Sequence, residues 1–217
     1  SLGGHPIYEA DVVTDLGVIV DPILKYEAHI NKLVGKGYSR VGLLYKGFAS
    51  RSPRVLKQAY ITYIRPVLEY ASSVWSPHLI KHIDAIERVQ KKFTKRIRTI
   101  SDLSYPERLA ALDLEPLELR RLKTDLILYY KCMNGLVALP YADYFNVSNV
   151  ISQTRTGGNR LIQASCSTNQ FQNDFFNRSV SCWNFLPPHI IATDTVFKFK
   201  RLLSTVDLRR FLKCTYF

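Results

Sequence analysis

The sequence predicts a mainly helical protein: a short N-terminal β-hairpin, a helical bundle, and a small irregular α/β subdomain at the C-terminal end. Three observations carry this. A run rich in Val, Ile and Thr, IYEADVVTDLGVIVD, fills Ile7–Asp21 and reads as one or two strands. From about Tyr26 to Met133, apolar residues recur at helical spacing between clear helix starts and stops. From Ala138 to Gly158 that periodicity vanishes and Asn, Ser, Thr and Gln take over. The expected division is a hairpin over 1–25, a bundle over 26–137, a linker over 138–158 and a subdomain over 159–217.

In the hairpin, Gly3-Gly4 is the expected turn, and Gly17 marks a bulge or a close backbone approach. The next helix places Ile30, Leu33, Val34, Tyr38, Val41 and Tyr45 on one face. Gly35 and Gly37 weaken it by roughly 1 kcal/mol each relative to Ala, and allow close packing. Ser52-Pro53 starts a helix, with Ser as cap and Pro at the first helical position. It leads into YITYIRPVLEYASSVW, Tyr60–Trp75, which predicts one core helix kinked at Pro66 and stopped by Ser76-Pro77.

The following helix, Leu79–Ile100, carries a stripe of Leu79, Ile83, Ile86, Phe93, Ile97 and Ile100, broken by Gln90. Asp84 and Glu87 on it read as salt-bridge partners. Ser104-Tyr105-Pro106-Glu107 is a capping box. Pro116 opens a helix that Asn134-Gly135 closes. Beyond the linker, Asn173–Trp183 reads as a short amphipathic helix, and Asp194 as the cap of a last one.

Thirty Lys and Arg oppose eighteen Asp and Glu, a formal net charge of +12. Such a balance points to a polyanionic partner, RNA or DNA. The excess is local. Between Asn31 and Leu68 the charged residues are Lys32, Lys36, Arg40, Lys46, Arg51, Arg54, Lys57 and Arg65, with no acid among them. Lys81, Arg88, Lys92 and Lys95 fall opposite the apolar stripe of the Leu79–Ile100 helix. Acids gather later, at Asp102, Glu107, Asp113, Glu115, Glu118 and Asp125, on a segment expected to face away from a polyanion.

Several classes are disfavoured. No apolar run approaches a membrane span, so no membrane partner is expected. The first residues lack the basic start and apolar core of a signal peptide. Cys132, Cys166, Cys182 and Cys214 are scattered, which suits reduced thiols and an intracellular setting, nuclear or cytoplasmic. His78 and His82 stand at i,i+4, but Leu79 occupies the place where the zinc-protease motif needs Glu. No GxSxG elbow, phosphate loop or CxxC pair occurs. Tyr60, Tyr63, Tyr70 and Trp75 are expected in the core rather than stacked on bases. The first residue, Ser1, suggests a piece of a longer protein.

Asp15–Asp21 (DLGVIVD), Ala28–Val34 (AHINKLV), Tyr60–His78 (YITYIRPVLEYASSVWSPH), Ile86–Ile97 (IERVQKKFTKRI) and Ser104–Gly135 carry a further signal. So do Arg178–Ile190 (RSVSCWNFLPPHI) and Phe199–Leu203 (FKRLL). In that order they resemble the C-terminal portion of reverse transcriptases from non-LTR, LINE-type retrotransposons of the jockey and chicken-repeat kind. The resemblance implies that Leu16-Gly17 belongs to the primer grip. It implies that the helices after it are a polymerase thumb and its extension, holding a template–primer duplex by its phosphates.

The candidate nucleic-acid-binding residues are then Leu16, Gly17, Lys32, Lys36, Arg40, Arg51, Arg54, Lys57, Arg88, Lys92 and Lys95. The family's aromatic-x-Asp-Asp motif is absent: Tyr8-Glu9-Ala10-Asp11 and Tyr141-Ala142-Asp143-Tyr144 lack the second adjacent Asp. No cofactor is expected in this segment, and Mg2+ would sit in a palm outside it. Expected partners are RNA, DNA or their hybrid, and the remainder of the polymerase. The competing reading is a protein-interaction domain that keeps the fold without the nucleic-acid role.

Overall fold

The computed structural model describes residues 11–139, 160–162, 165 and 167–216. Strands β1 (Val13–Asp15) and β2 (Val18–Val20) pair antiparallel, with Val13 opposite Val20 and Asp15 opposite Val18. Leu16 and Gly17 form the two-residue turn, both at positive φ (43° and 87°). That conformation matches the right-handed twist of the flanking strands. Gly17 is therefore a turn residue rather than a bulge. The Gly3-Gly4 turn lies outside the described residues.

Helix α1 (Glu27–Gly47) follows a loop organised by Asp21, whose carboxylate accepts from the backbone N–H of Ile23, Lys25 and Tyr26. The expected kinked helix is three: α2 (Pro53–Tyr63), α3 (Arg65–Glu69) and α4 (Ser72–Trp75). Pro66 lies in the first turn of α3, where its missing N–H costs nothing. Tyr70 is extended and Ala71 left-handed (φ 51°), which separates α3 from α4. The breaks change which residues are inside. Leu56, Tyr60, Ile64, Leu68 and Trp75 are buried, whereas Tyr63, Tyr70 and Val74 are exposed.

Helix α5 (Ile80–Lys95) runs against α1, and a 3-10 turn (Arg98–Ile100) follows. Gly37 allows the contact: a Cβ there would lie 2.9 Å from Leu68 Cδ2 and 3.0 Å from Val89 Cγ1. The capping box forms at the start of α6 (Tyr105–Leu112). Helix α7 (Leu117–Met133) ends at Asn134, with Gly135 left-handed at φ 64°. Gln90 breaks the α5 stripe for a reason: it is fully buried and accepts from Tyr60 Oη at 2.8 Å. Its amide donates to Tyr105 Oη and to the Glu115 carbonyl, each at 3.0 Å. Asp84 pairs with Arg88 and Lys91 as expected, but Glu87 does not form a surface bridge. It is buried and accepts from Tyr105 Oη, Gln90 and the Leu117 N–H.

The described C-terminal residues form short helices: α8 (Asn169–Gln172), α9 (Phe175–Arg178), α10 (Val180–Phe185), α11 (Pro188–Ile191) and α12 (Val196–Leu203). The expected helix over Asn173–Trp183 is thus divided between α9 and α10. Thr195, not Asp194, caps α12; Asp194 pairs with Lys198 at 2.8 Å. Two apolar clusters result. The first runs from Val18 to Leu117, and the second joins Leu126, Tyr129, Tyr130 and Cys132 to the C-terminal helices. Tyr130 stacks on Phe199 with ring centroids 4.4 Å apart. Helix α7 therefore belongs to both cores. Arg178 reinforces this joint, donating to Asp125 on α7 at 2.9 Å and to the Ser73 carbonyl on α4 at 2.7 Å.

Candidate nucleic-acid interface

Helix α1 carries basic groups on two flanks. Lys32, Lys36 and Arg40 follow at i, i+4 and i+8. On this side a cleft of about 410 Å³ is lined by Leu16, Gly17, Lys32, Lys36, Pro66 and Tyr70. It unites the hairpin turn, α1 and α3, so four of the expected residues meet across segments distant in sequence. Tyr70 fixes the turn by donating from Oη to the Leu16 carbonyl at 2.9 Å, leaving the Leu16 side chain in solvent. His29 at the base of the cleft accepts from the Ile19 N–H, and burial, then Lys32 and Lys36, lower its pKa. Arg40 donates to the Tyr63 carbonyl at 2.6 Å.

Tyr38 and Tyr45 hold the other flank; two residues after Lys36, Tyr38 points roughly 160° away from it around the helix axis. Lys92 of α5 lies 4.8 Å above the Tyr38 ring, and Arg96 lies 4.3 Å above the Tyr45 ring. Arg51 approaches the same tyrosine at 5.9 Å and donates to its carbonyl at 2.9 Å. The electron-rich faces hold these cations while their outer sides stay in water. Tyr45 Oη donates to the Phe93 carbonyl at 2.9 Å, and burial pushes its pKa up to about 12.

The remaining expected residues divide by partner. Arg88 is tied to Asp84 at 2.6 Å and Lys57 to Asp113 at 3.3 Å. Lys95 donates to the Ser101 carbonyl at 2.7 Å, and Arg54 is exposed in the first turn of α2. Among the described residues, ion pairs engage Lys57, Arg65, Lys81, Arg88, Lys91, Arg120, Lys123 and Arg178, but not Lys32, Lys36, Arg40, Lys46, Arg51, Arg54, Lys92, Lys95 or Arg96. The acidic segment is largely spent internally: Glu115 on Lys123, and Asp125 on Arg178. Its Asp113, reaching Lys57, does not face away from the basic run.

Arg96, Tyr38 and Tyr45 lie at this candidate interface, and the sequence reading does not include them among its binding residues. Arg96 lies four residues after Lys92, so helical spacing alone identifies it. The sequence places both tyrosines on the core face, and both pack there, with Lys92 over the Tyr38 ring and Arg96 over the Tyr45 ring. Among the described residues no group of His, Cys, Asp or Glu is placed to hold a metal ion, and no helix is long and apolar enough to cross a membrane.

No known protein family matches the chain, and no solved structure matches it. The chain is similar to the uncharacterized protein B0403.1 of Caenorhabditis elegans, 24% identical over 142 residues, which cover 64% of this chain and 72% of that protein.

Proposed function

We propose that the chain grips a nucleic-acid duplex by its phosphates, as the thumb-like C-terminal part of a LINE-type reverse transcriptase. The observation that supports this best is the segregation of the cations. Lys32, Lys36 and Arg40 on α1, Arg54 at the start of α2, and Lys92, Lys95 and Arg96 at the C-terminal end of α5 have no carboxylate partner among the described residues, while Lys81 and Arg88 earlier on α5, and Lys57, Arg120 and Lys123, are paired. A surface kept cationic in this way suits repeated phosphates, which position a duplex without reading its sequence. In the cleft, Lys32 and Lys36 would meet the backbone near the primer end, and Gly17 would let the chain approach it closely. Strand β1 is exposed along its length and offers an edge to the remainder of the polymerase. The sequence has no adjacent Asp pair, so nucleotide addition would need the palm as partner.

Binding of an RNA/DNA hybrid measured against salt tests the reading. Lys32→Ala, Lys92→Ala and Arg96→Ala combined should reduce the log–log salt slope by roughly 2.7, at about 0.9 per phosphate contact. Absence of hybrid binding by the folded wild type would overturn it and leave a protein-interaction role. An unchanged slope in the triple variant would equally remove this surface from consideration.

A further inference from the structure

A second cavity, of about 190 Å³, lies between the chain after α4, helix α7, and the segments around α8–α10 and residues 211–213. Its walls include Arg121, Arg178 and Lys213 against the carboxylates Glu118 and Asp125, with Asn173 among the neutral groups. Arg121 is 2% exposed, and none of its three side-chain nitrogens has a hydrogen-bond partner among the described residues. The carboxylates that act on it electrostatically are committed elsewhere. Glu87 accepts from Tyr105, Gln90 and Leu117. Glu118 accepts from the N–H groups of Lys213 and Cys214 at 2.7 and 3.2 Å. Asp125 takes the two-pronged Arg178 pair at 2.9 and 3.1 Å. Five N–H donors of a permanent cation thus have no hydrogen-bond partner among the described residues, the nearby Tyr216 Oη being buried and unpartnered as well, beside a polar cavity several times the volume of a water. A buried, unpaired guanidinium calls for a missing acceptor.

We propose that this cavity is a site for a small oxyanion, phosphate above all, held in bidentate fashion by Arg121 and closed over by Lys213. Guanidinium presents parallel N–H groups that fit two oxygens of a phosphate. Lys213 is exposed, and its ammonium donates to the His78 carbonyl at 3.0 Å and to Asn173 Oδ1 at 3.5 Å. The Arg121 nitrogens are shielded from solvent, so the anion is admitted when those two bonds break and the Lys213 side chain turns aside. Lys213 then becomes the second cation of the site. The site is separate from the α1 flanks and does not rest on the duplex reading.

Calorimetric titration of the full chain with inorganic phosphate, at constant ionic strength, tests this. One phosphate per chain should bind saturably. Arg121→Met should weaken it at least tenfold, Lys213→Ala severalfold, and Lys92→Ala with Arg96→Ala not at all. At a hundredfold the dissociation constant, phosphate should raise the wild-type Tm by roughly 5–10 °C. Acetate at equal ionic strength should raise it less. AMP competing with phosphate would identify a nucleotide as the source, and AMP excluded would identify the free ion; either upholds the site. Should Arg121→Met fail to fold, the exposed Lys213→Ala decides. No saturable binding by the wild type, or affinity unchanged in Lys213→Ala and in folded Arg121→Met, overturns the proposal.

Discussion

Lys92 and Arg88 are one helical turn apart on α5, yet on the proposed reading they would meet a phosphate differently. Arg88 already has a carboxylate at 2.6 Å; Lys92 rests on a tyrosine ring. Arg88→Ala should therefore change the salt slope much less than Lys92→Ala, which should lower it by about 0.9. Tyr45→Leu removes the seat of Arg96 without removing its charge, so affinity should drop by about 0.5–1 kcal/mol while the slope holds. Inside the protein, burial raises the Glu87 pKa against the Tyr105 hydrogen bond, the Arg121 charge, the Leu117 N–H and the Lys91 charge, which all favour the carboxylate. A carboxyl raised in the folded state contributes full stability below its unfolded pKa, about 4.3, and loses it as pH rises through the folded value. The Tm of wild type minus that of Glu87→Gln should thus fall as pH rises from about 4. Melts showing a flat or rising difference would refute this sign. Arg178→Ala leaves Asp125 buried and unpaired, and should cost about 3–5 kcal/mol in urea unfolding.

Among the elements, two glycines of α1 separate propensity from packing. A Cβ on Gly35 meets nothing within 4 Å, so Gly35→Ala should stabilise by about 1 kcal/mol. At Gly37 the Cβ would press on Leu68 and Val89, and overpacking of about 1–3 kcal/mol should outweigh the helix gain. Paired thermal melts should move in opposite directions. The sequence offered both glycines as alike, because spacing says nothing of what stands opposite. Local chemistry was more readable: Pro53, the Ser104–Glu107 box and Gly135 mark helix ends that depend only on neighbouring residues. The division of Tyr60–Trp75 was half visible. Pro66 announces a disturbance, but Ala71 at positive φ carries no residue-type signal. The candidate interface was read in the same uneven way. Basic residues could be listed, but Arg88 and Lys57 look no different from Lys92 until Asp84 and Asp113 are placed beside them.

For the molecule as a whole, α7 decides how the parts hold together. Its first turn closes the core begun at Val18, and its second half opens the core shared with α10 and α12. A chain ending at residue 137 would bare Leu126, Tyr129, Tyr130 and Cys132. It should melt well below the full chain and bind an apolar dye, whereas an independent bundle would keep its Tm. Hydrophobic spacing identified α7 but assigned it wholly to the bundle, because a helix apolar on more than one side looks the same in sequence whether one core or two receive it.

That helix has a consequence for biosynthesis. Residues that cover its second half extend to Leu208, and a ribosome adding ~5–20 residues per second needs on the order of 4–15 s to pass from Met133 to that point. Throughout this interval the nascent chain displays two tyrosines and a leucine on a helix whose first half is already anchored. Slow translation prolongs the display, and a holdase chaperone arriving within it would find its binding stripe at Leu126–Cys132.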